Sequence, residues 1–186
     1  MQKEETKAVP GWKLGIGAQR TLHSYLPVIQ GKLYLGQNCS VTPLQQDQDT
    51  VFLTLSRRRQ YAPFCADFGP INLGTTHQMC EQLHRLLTCT PLDQKIVYYT
   101  TDKPEDVSNS MFLLGAFLCI NLGVTPEQAW QPFAGLDAVL SLPFRDATWA
   151  NSSFDLHVQV CFLCWLAKSA AIVLASWKRV ELHESF

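Results

Sequence analysis

Lys95-Ile96-Val97-Tyr98-Tyr99, followed by Thr100-Thr101-Asp102-Lys103-Pro104-Glu105-Asp106, is the stretch that decides the fold. The first segment is apolar and β-branched in its middle, as a buried strand is. The second is a short polar loop. From about Val107 to Leu122 a helix follows, apolar nearly all round at Phe112-Leu113-Leu114-Gly115-Ala116-Phe117-Leu118 and stopped by Gly123. A buried strand that hands over through a loop to a central helix is the unit of an α/β layer fold.

Downstream, Thr125-Pro126-Glu127-Gln128 opens a helix that reaches about Ala134. Threonine caps it, proline takes the first position and Gln128 completes a capping box. Leu142-Pro143-Phe144-Arg145-Asp146 reads as a turn region, and a last helix is expected from about Ser153 into the 170s. Upstream, a helix is expected to open at Gly69-Pro70 and to bury Leu73, Met79, Cys80, Leu83, Leu86 and Leu87. Lys32-Leu33-Tyr34-Leu35, ended by Gly36, and Val51-Phe52-Leu53-Thr54-Leu55 read as strands, with polar residues from Gln37 to Asp49 between them. Residues 1–30, with Pro10, Gly11, Gly15, Gly17 and Pro27, read as a mobile leader.

The chain has 186 residues, of which 47% are hydrophobic and 17% charged, with a net charge of −1. That supports one sizeable core and excludes a disordered or strongly basic protein. Arg57-Arg58-Arg59, the one basic cluster, reads as a solvated loop, so no nucleic-acid partner is expected. Seven cysteines, an odd number, follow an N-terminus without an apolar export signal, which points to free thiols inside the cell. Val158 to Trp177 is long enough to span a membrane, but Gln159 and Lys168 interrupt it. A central lysine costs roughly 2.5–3.5 kcal/mol on insertion scales, so a buried helix is the expectation, not a membrane segment.

Cysteine-dependent phosphatases place a loop of Cys, five residues and Arg between a buried strand and a helix. The thiolate attacks phosphorus, while the arginine and the helix N-terminus hold the oxygens. Here the loop Thr100-Thr101-Asp102-Lys103-Pro104-Glu105-Asp106 has neither residue, and nowhere is a cysteine followed six positions later by an arginine. Pro104 removes a backbone donor, and Asp102, Glu105 and Asp106 are expected to face an incoming dianion. Two like charges about 4 Å apart repel by roughly 1 kcal/mol in water and 4 kcal/mol at an effective dielectric of 20, so the loop is expected to reject phosphate. No catalytic residue, cofactor or metal is expected elsewhere. Asp67-Phe68-Gly69 spells a kinase metal triplet without the catalytic loop that should precede it. His77, Cys80 and His84 share a helix face but lack a fourth ligand, and read as partly buried polar residues. Cys161-Phe162-Leu163-Cys164 sits among apolar residues in what reads as the middle of a helix, as buried thiols do.

The runs Ala66-Asp67-Phe68-Gly69-Pro70-Ile71-Asn72-Leu73, Lys95-Ile96-Val97-Tyr98-Tyr99-Thr100, Phe112-Leu113-Leu114-Gly115-Ala116, Thr125-Pro126-Glu127-Gln128-Ala129 and Leu142-Pro143-Phe144-Arg145-Asp146-Ala147, in this order and spacing, resemble the N-terminal domain of the cell-division-cycle-fourteen family of dual-specificity protein phosphatases. The resemblance covers about Gly31 to Cys164. It implies a phosphatase-like α/β fold, a central sheet flanked by helices with a degenerate phosphate loop. It also implies a non-catalytic half that selects substrates for, or scaffolds, a catalytic phosphatase domain acting on phosphoserine or phosphothreonine before proline in cell-cycle control. Phosphoprotein substrates, self-association and a nuclear, nucleolar, cytoplasmic or centrosomal address follow from the same resemblance. The chain departs from the family in its acidic loop after Tyr99, in its divergent apolar tail over residues 165–186, and in ending where the catalytic half would begin. Arg145 and Asp146 are the interface candidates, either bridging to a neighbouring domain or forming a local salt bridge. A stand-alone pseudophosphatase that titrates partners is the alternative, and a residual hydrolase with an unfamiliar nucleophile is a third reading.

Overall fold

The computed structural model describes residues 12–15, 25–37, 49–55, 61–136 and 141–162. Its main sheet has the order β1-β2-β4-β3, from β1 (Tyr25–Ile29), β2 (Leu33–Gln37), β3 (Thr50–Leu53) and β4 (Lys95–Thr100). β4 pairs in parallel with β2 (Tyr34 opposite Val97) and with β3 (Phe52 opposite Val97), while β1 runs antiparallel to β2. The central α/β layer is as expected. The strand that organises it, β4, buries Ile96, Val97 and Tyr98.

The expected leader is corrected at its end, because residues 25–29 form the edge strand β1. Pro27 hides it in the sequence, since proline is tolerated only at sheet edges and bulges. The register here shifts between Pro27 and Ile29. β2 also runs through Gly36 to Gln37, and β3 stops at Leu53.

The first helix, α1, spans Leu73–Cys89 and does not open at Gly69-Pro70. Asn72 is the better cap, its side chain accepting from Thr75 N at 2.9 Å. Shifting the start moves Leu73 to the exposed first turn, and Thr76, Met79, Cys80, Leu83 and Leu87 face inward. Pro104 takes the first position of α2 (Pro104–Leu122), and Gly123 ends it in the left-handed region at φ 65°. Every residue from Val107 to Cys119 is buried, because α2 packs against α1, β4 and α3 at once. Gly115 permits one of these contacts. A Cβ there would lie 2.0 Å from the Phe162 ring, which seats the start of the last helix on α2.

The short helix α3 (Pro126–Trp130) carries the capping box in full: Thr125 N donates to Gln128 Oε1 at 2.9 Å and Gln128 N to Thr125 Oγ1 at 3.3 Å. A 3-10 turn, Gln131–Phe133, completes it. The region read as a turn holds β5 (Phe144–Arg145), antiparallel to β6 (Asp155–Leu156). β6 occupies what reads as the first turn of the last helix, and residues 158–162 are helical. Cys161 is therefore in the first turn of that helix and not in its middle, and it is buried. Arg57–Arg59, Cys164 and residues 165–186 lie outside the described residues, as does most of Val158 to Trp177. Among the described residues no helix is long and apolar enough to cross a membrane.

Candidate functional site

A cleft of about 190 Å³ opens where β4 ends and α2 begins. Topology puts it there, because β4 is flanked by parallel neighbours and hands its carboxyl end to a helix N-terminus. Of the seven loop residues singled out, Thr100, Thr101, Glu105 and Asp106 line the cleft. Asp102 and Lys103 are exposed, and neither they nor Pro104 line it. The expectation that Asp102 faces an incoming anion is thus corrected. Lys103 N donates to Thr101 Oγ1 at 3.2 Å, and this tight turn carries the loop tip outward. Thr101 Oγ1 in turn donates to Asp106 Oδ2.

The opposite wall comes from residues 61–71. Asp67 is only 3% exposed. It accepts from Cys65 N at 2.7 Å, from Phe64 N at 2.9 Å and from the Tyr61 hydroxyl. The Cys65 amide first, then the Tyr61 hydroxyl, hold its carboxyl below the usual carboxylate range. The same bond pushes Tyr61 up to about 12. Asn109 pins this wall to α2: its Nδ2 donates to Phe68 O at 2.6 Å and Glu105 O at 3.2 Å, and its Oδ1 accepts from Ile71 N at 3.2 Å. The Asp67-Phe68-Gly69 triplet is thus a loop anchor. The floor is Tyr98, pushed well above its usual range by burial although Ser110 and the Leu55 backbone hydrogen-bond to it.

The sequence reading missed Tyr61, Asp67 and Asn109 as parts of this site. Only the Asp67-Phe68-Gly69-Pro70 run, kept among the resembling motifs, pointed to them.

Arg145 lines a second, open depression beside Trp149, and Asp146, next in the chain, does not line it. Arg145 Nη2 donates to Ala150 O at 3.1 Å, while Asp146 accepts from Ser152 Oγ at 2.7 Å and Ser153 Oγ at 2.8 Å. These serines hold the Asp146 carboxyl below its usual range. Both side chains therefore brace the 145–153 segment through hydrogen bonds, and not through a salt bridge to one another.

The helix-face trio is split. Cys80 is buried whereas His77 and His84 are exposed, which corrects the expectation that all three are partly buried. Burial pushes Cys80 and Cys119 up to about 12, so both thiols stay protonated at neutral pH. Among the described residues no three His, Cys, Asp or Glu side chains are placed to hold a metal ion.

The family model for the N-terminal half of dual specificity protein phosphatases matches residues 27–167. The chain belongs to that family. It is 33% identical to mouse dual specificity protein phosphatase CDC14B over 112 residues, 60% of this chain and 23% of the relative. It is 34% identical to human dual specificity protein phosphatase CDC14A over 114 residues, 61% of this chain and 19% of that one. Against the Saccharomyces cerevisiae tyrosine-protein phosphatase CDC14 it is 28% identical over 167 residues, 89% of this chain and 30% of the relative. The chain thus spans less than a third of the length of these relatives, and the match lies in the N-terminal half that the motifs indicated.

Proposed function

We propose that these residues are the substrate-selecting and scaffolding half of a dual-specificity protein phosphatase acting in cell-cycle control, with the chemistry supplied by a catalytic domain. The observation that carries this reading is the loop after β4. It stands where a phosphatase sets its thiolate and guanidinium, and it supplies threonines and carboxylates instead. Among the described residues no cysteine lines this cleft, and Cys80 and Cys119 are buried with their thiols pushed up to about 12. The described surface also offers a place for a partner half. Trp149 is 86% and Phe64 73% exposed, with ring centroids 6.2 Å apart, beside Arg145. Large aromatic side chains left in water next to a braced arginine are typical of a face that another domain covers.

The test is an assay of the purified chain on phosphotyrosine and phosphoserine-proline peptides, alone and with the catalytic half of a CDC14 relative added in trans. Alone it turns over nothing; with the catalytic half it associates and alters the choice of peptide, and Trp149→Ala weakens the association about tenfold without lowering the melting temperature. A phosphorylated adduct on the isolated chain would defeat the reading. Absence of association at high concentration would favour a free-standing interaction protein.

A further inference from the structure

Arg145 is a cation that the fold leaves without a counter-ion. Its Nη2 donates to Ala150 O at 3.1 Å. Its Nε is enclosed by protein and has no hydrogen-bond partner, and no carboxylate among the described residues pairs with it. Acids are not lacking nearby. Asp146 is next in the chain, and Asp155 stands opposite Arg145 in the β5–β6 pair. Both are turned to serines. Asp146 accepts from Ser152 Oγ at 2.7 Å and from Ser153 Oγ at 2.8 Å, and Asp155 accepts from Ser152 Oγ at 3.3 Å. A guanidinium cut off from water at Nε depends on its remaining donors for compensation of its charge. Nη1 has no protein partner and is not enclosed. The open end of the fork is therefore free at the depression that Arg145 lines with Cys65, Ala66, Thr148 and Trp149.

The surroundings narrow the ligand class. Trp149 and Phe64, both largely exposed and with ring centroids 6.2 Å apart, stand beside the guanidinium. A fitting occupant has a negative end and an apolar body. A carboxylate presents two oxygens to the end of the fork. A phosphate dianion would bring twice the charge close to Asp146 and Asp155, and it would meet one cation, since no lysine and no second arginine lines the depression. The depression is open, which suits a chain segment laid across it rather than an engulfed small molecule. We propose that this depression docks a polypeptide segment carrying an acidic side chain next to a large apolar one. The carboxylate meets the Arg145 guanidinium, and the apolar side chain covers Trp149 and Phe64. The contact rests on the partner-face reading only in that the occupant is a polypeptide.

The experiment titrates the full chain, isotope-labelled for NMR, with the peptide acetyl-Leu-Glu-Leu-amide, its glutamine counterpart (same shape, no charge), free glutamate and inorganic phosphate. A separate arm adds the catalytic half of a CDC14 relative. The glutamate peptide is expected to shift the Trp149 indole and the Arg145 side-chain resonances, and to bind about tenfold more tightly than the glutamine peptide. Arg145→Gln is expected to lose about tenfold in affinity for the glutamate peptide. Arg145→Lys is expected to lose about threefold, since an ammonium lacks the planar fork. Should a variant fail to fold, exchanging glutamate for glutamine in the peptide tests the same contact on the wild-type chain. Equal binding of the glutamine peptide, or shifts confined to Thr100 to Asp106, overturns the proposal. Larger shifts with phosphate, or tighter binding of free glutamate, would change the ligand class and overturn it too. Charge-dependent peptide binding without association of the catalytic half supports the contact and removes the partner-half reading; association without charge-dependent peptide binding does the reverse.

Discussion

Two acidic or basic side chains among the described residues are carried almost wholly into the interior, Lys32 at 4% and Asp67 at 3% exposure. They sit at opposite ends of the parallel strands. Lys32 precedes β2, where its carbonyl receives Ile96 N from the start of β4, and Asp67 faces the point where β4 ends. Neither relies on an ion pair. The Lys32 ammonium donates to Thr90 O at 3.1 Å, Gln94 O at 3.0 Å and Pro91 O, carbonyls at and just beyond the C-terminus of α1. Burial pulls it below its usual range and Asp93 works against that shift. Asp67 collects two amides of its own loop and a phenol. Backbone dipoles neutralise both charges, yet one joins a helix end to the sheet while the other shapes the wall of a cleft. Ligands of open α/β sheets gather at the carboxyl ends of strands, so the same device serves the fold at one end and the site at the other.

Lys32→Met tests this contrast hardest. It leaves three carbonyls without their donor, and an unfolding titration should show a loss of about 2–4 kcal/mol, with the cleft amides unmoved in the NMR spectrum of the folded fraction. Asn109→Ala removes the bridge between α2 and the 68–71 segment, and should cost about 2 kcal/mol while also disturbing the cleft amides in the NMR spectrum. A variant that lost stability at either end with identical effects on the cleft would erase the distinction. Thr125→Ala lies away from both ends. It removes one half of the capping box, for about 1 kcal/mol, and should move neither Lys32 nor cleft resonances.

The smallest effect is on pH. The carboxyl of Asp67 is depressed in the folded chain, so the unfolded chain binds more protons there; its contribution is present above the ordinary carboxylate range and is lost as pH falls through the folded value. Tyr61 runs the other way. Raised to about 12, it contributes fully below the ordinary tyrosine range near 10 and loses that contribution as pH rises through about 12. Tyrosinate absorbance of the wild type against Tyr61→Phe checks the alkaline limb.

How much of this was legible depends on how local the cause is. The α3 cap, the Gly123 stop and the buried run of β4 are written in neighbouring residues, and they read correctly. Asn72 was outbid as a helix start by Pro70, because proline's preference for the first turn is visible in sequence while the Asn72 bond to Thr75 N is one of several a loop asparagine can make. β1 was invisible since Pro27 argues against a strand and only pairing with β2 makes one. β5 and β6 are two residues each and have no period to detect. At the site, Thr100 to Asp106 was found because the loop is contiguous. Tyr61, Asp67 and Asn109 were missed because three separate segments converge there, and no spacing along the chain encodes that.

Pro27 has a practical corollary for anyone choosing where to cut the gene. β1 shields one flank of β2, and residues 13–15 lie over its own outer side, with Gly15 N donating to Val28 O at 3.1 Å. A shortened clone beginning at Gly31 would strip both layers and bare the amides of Leu33 to Gln37, with Leu33 and Leu35 already committed to the core. Such an unguarded β-ribbon recruits neighbouring molecules by strand addition. The trimmed product should precipitate or multimerise where the longer one stays monodisperse.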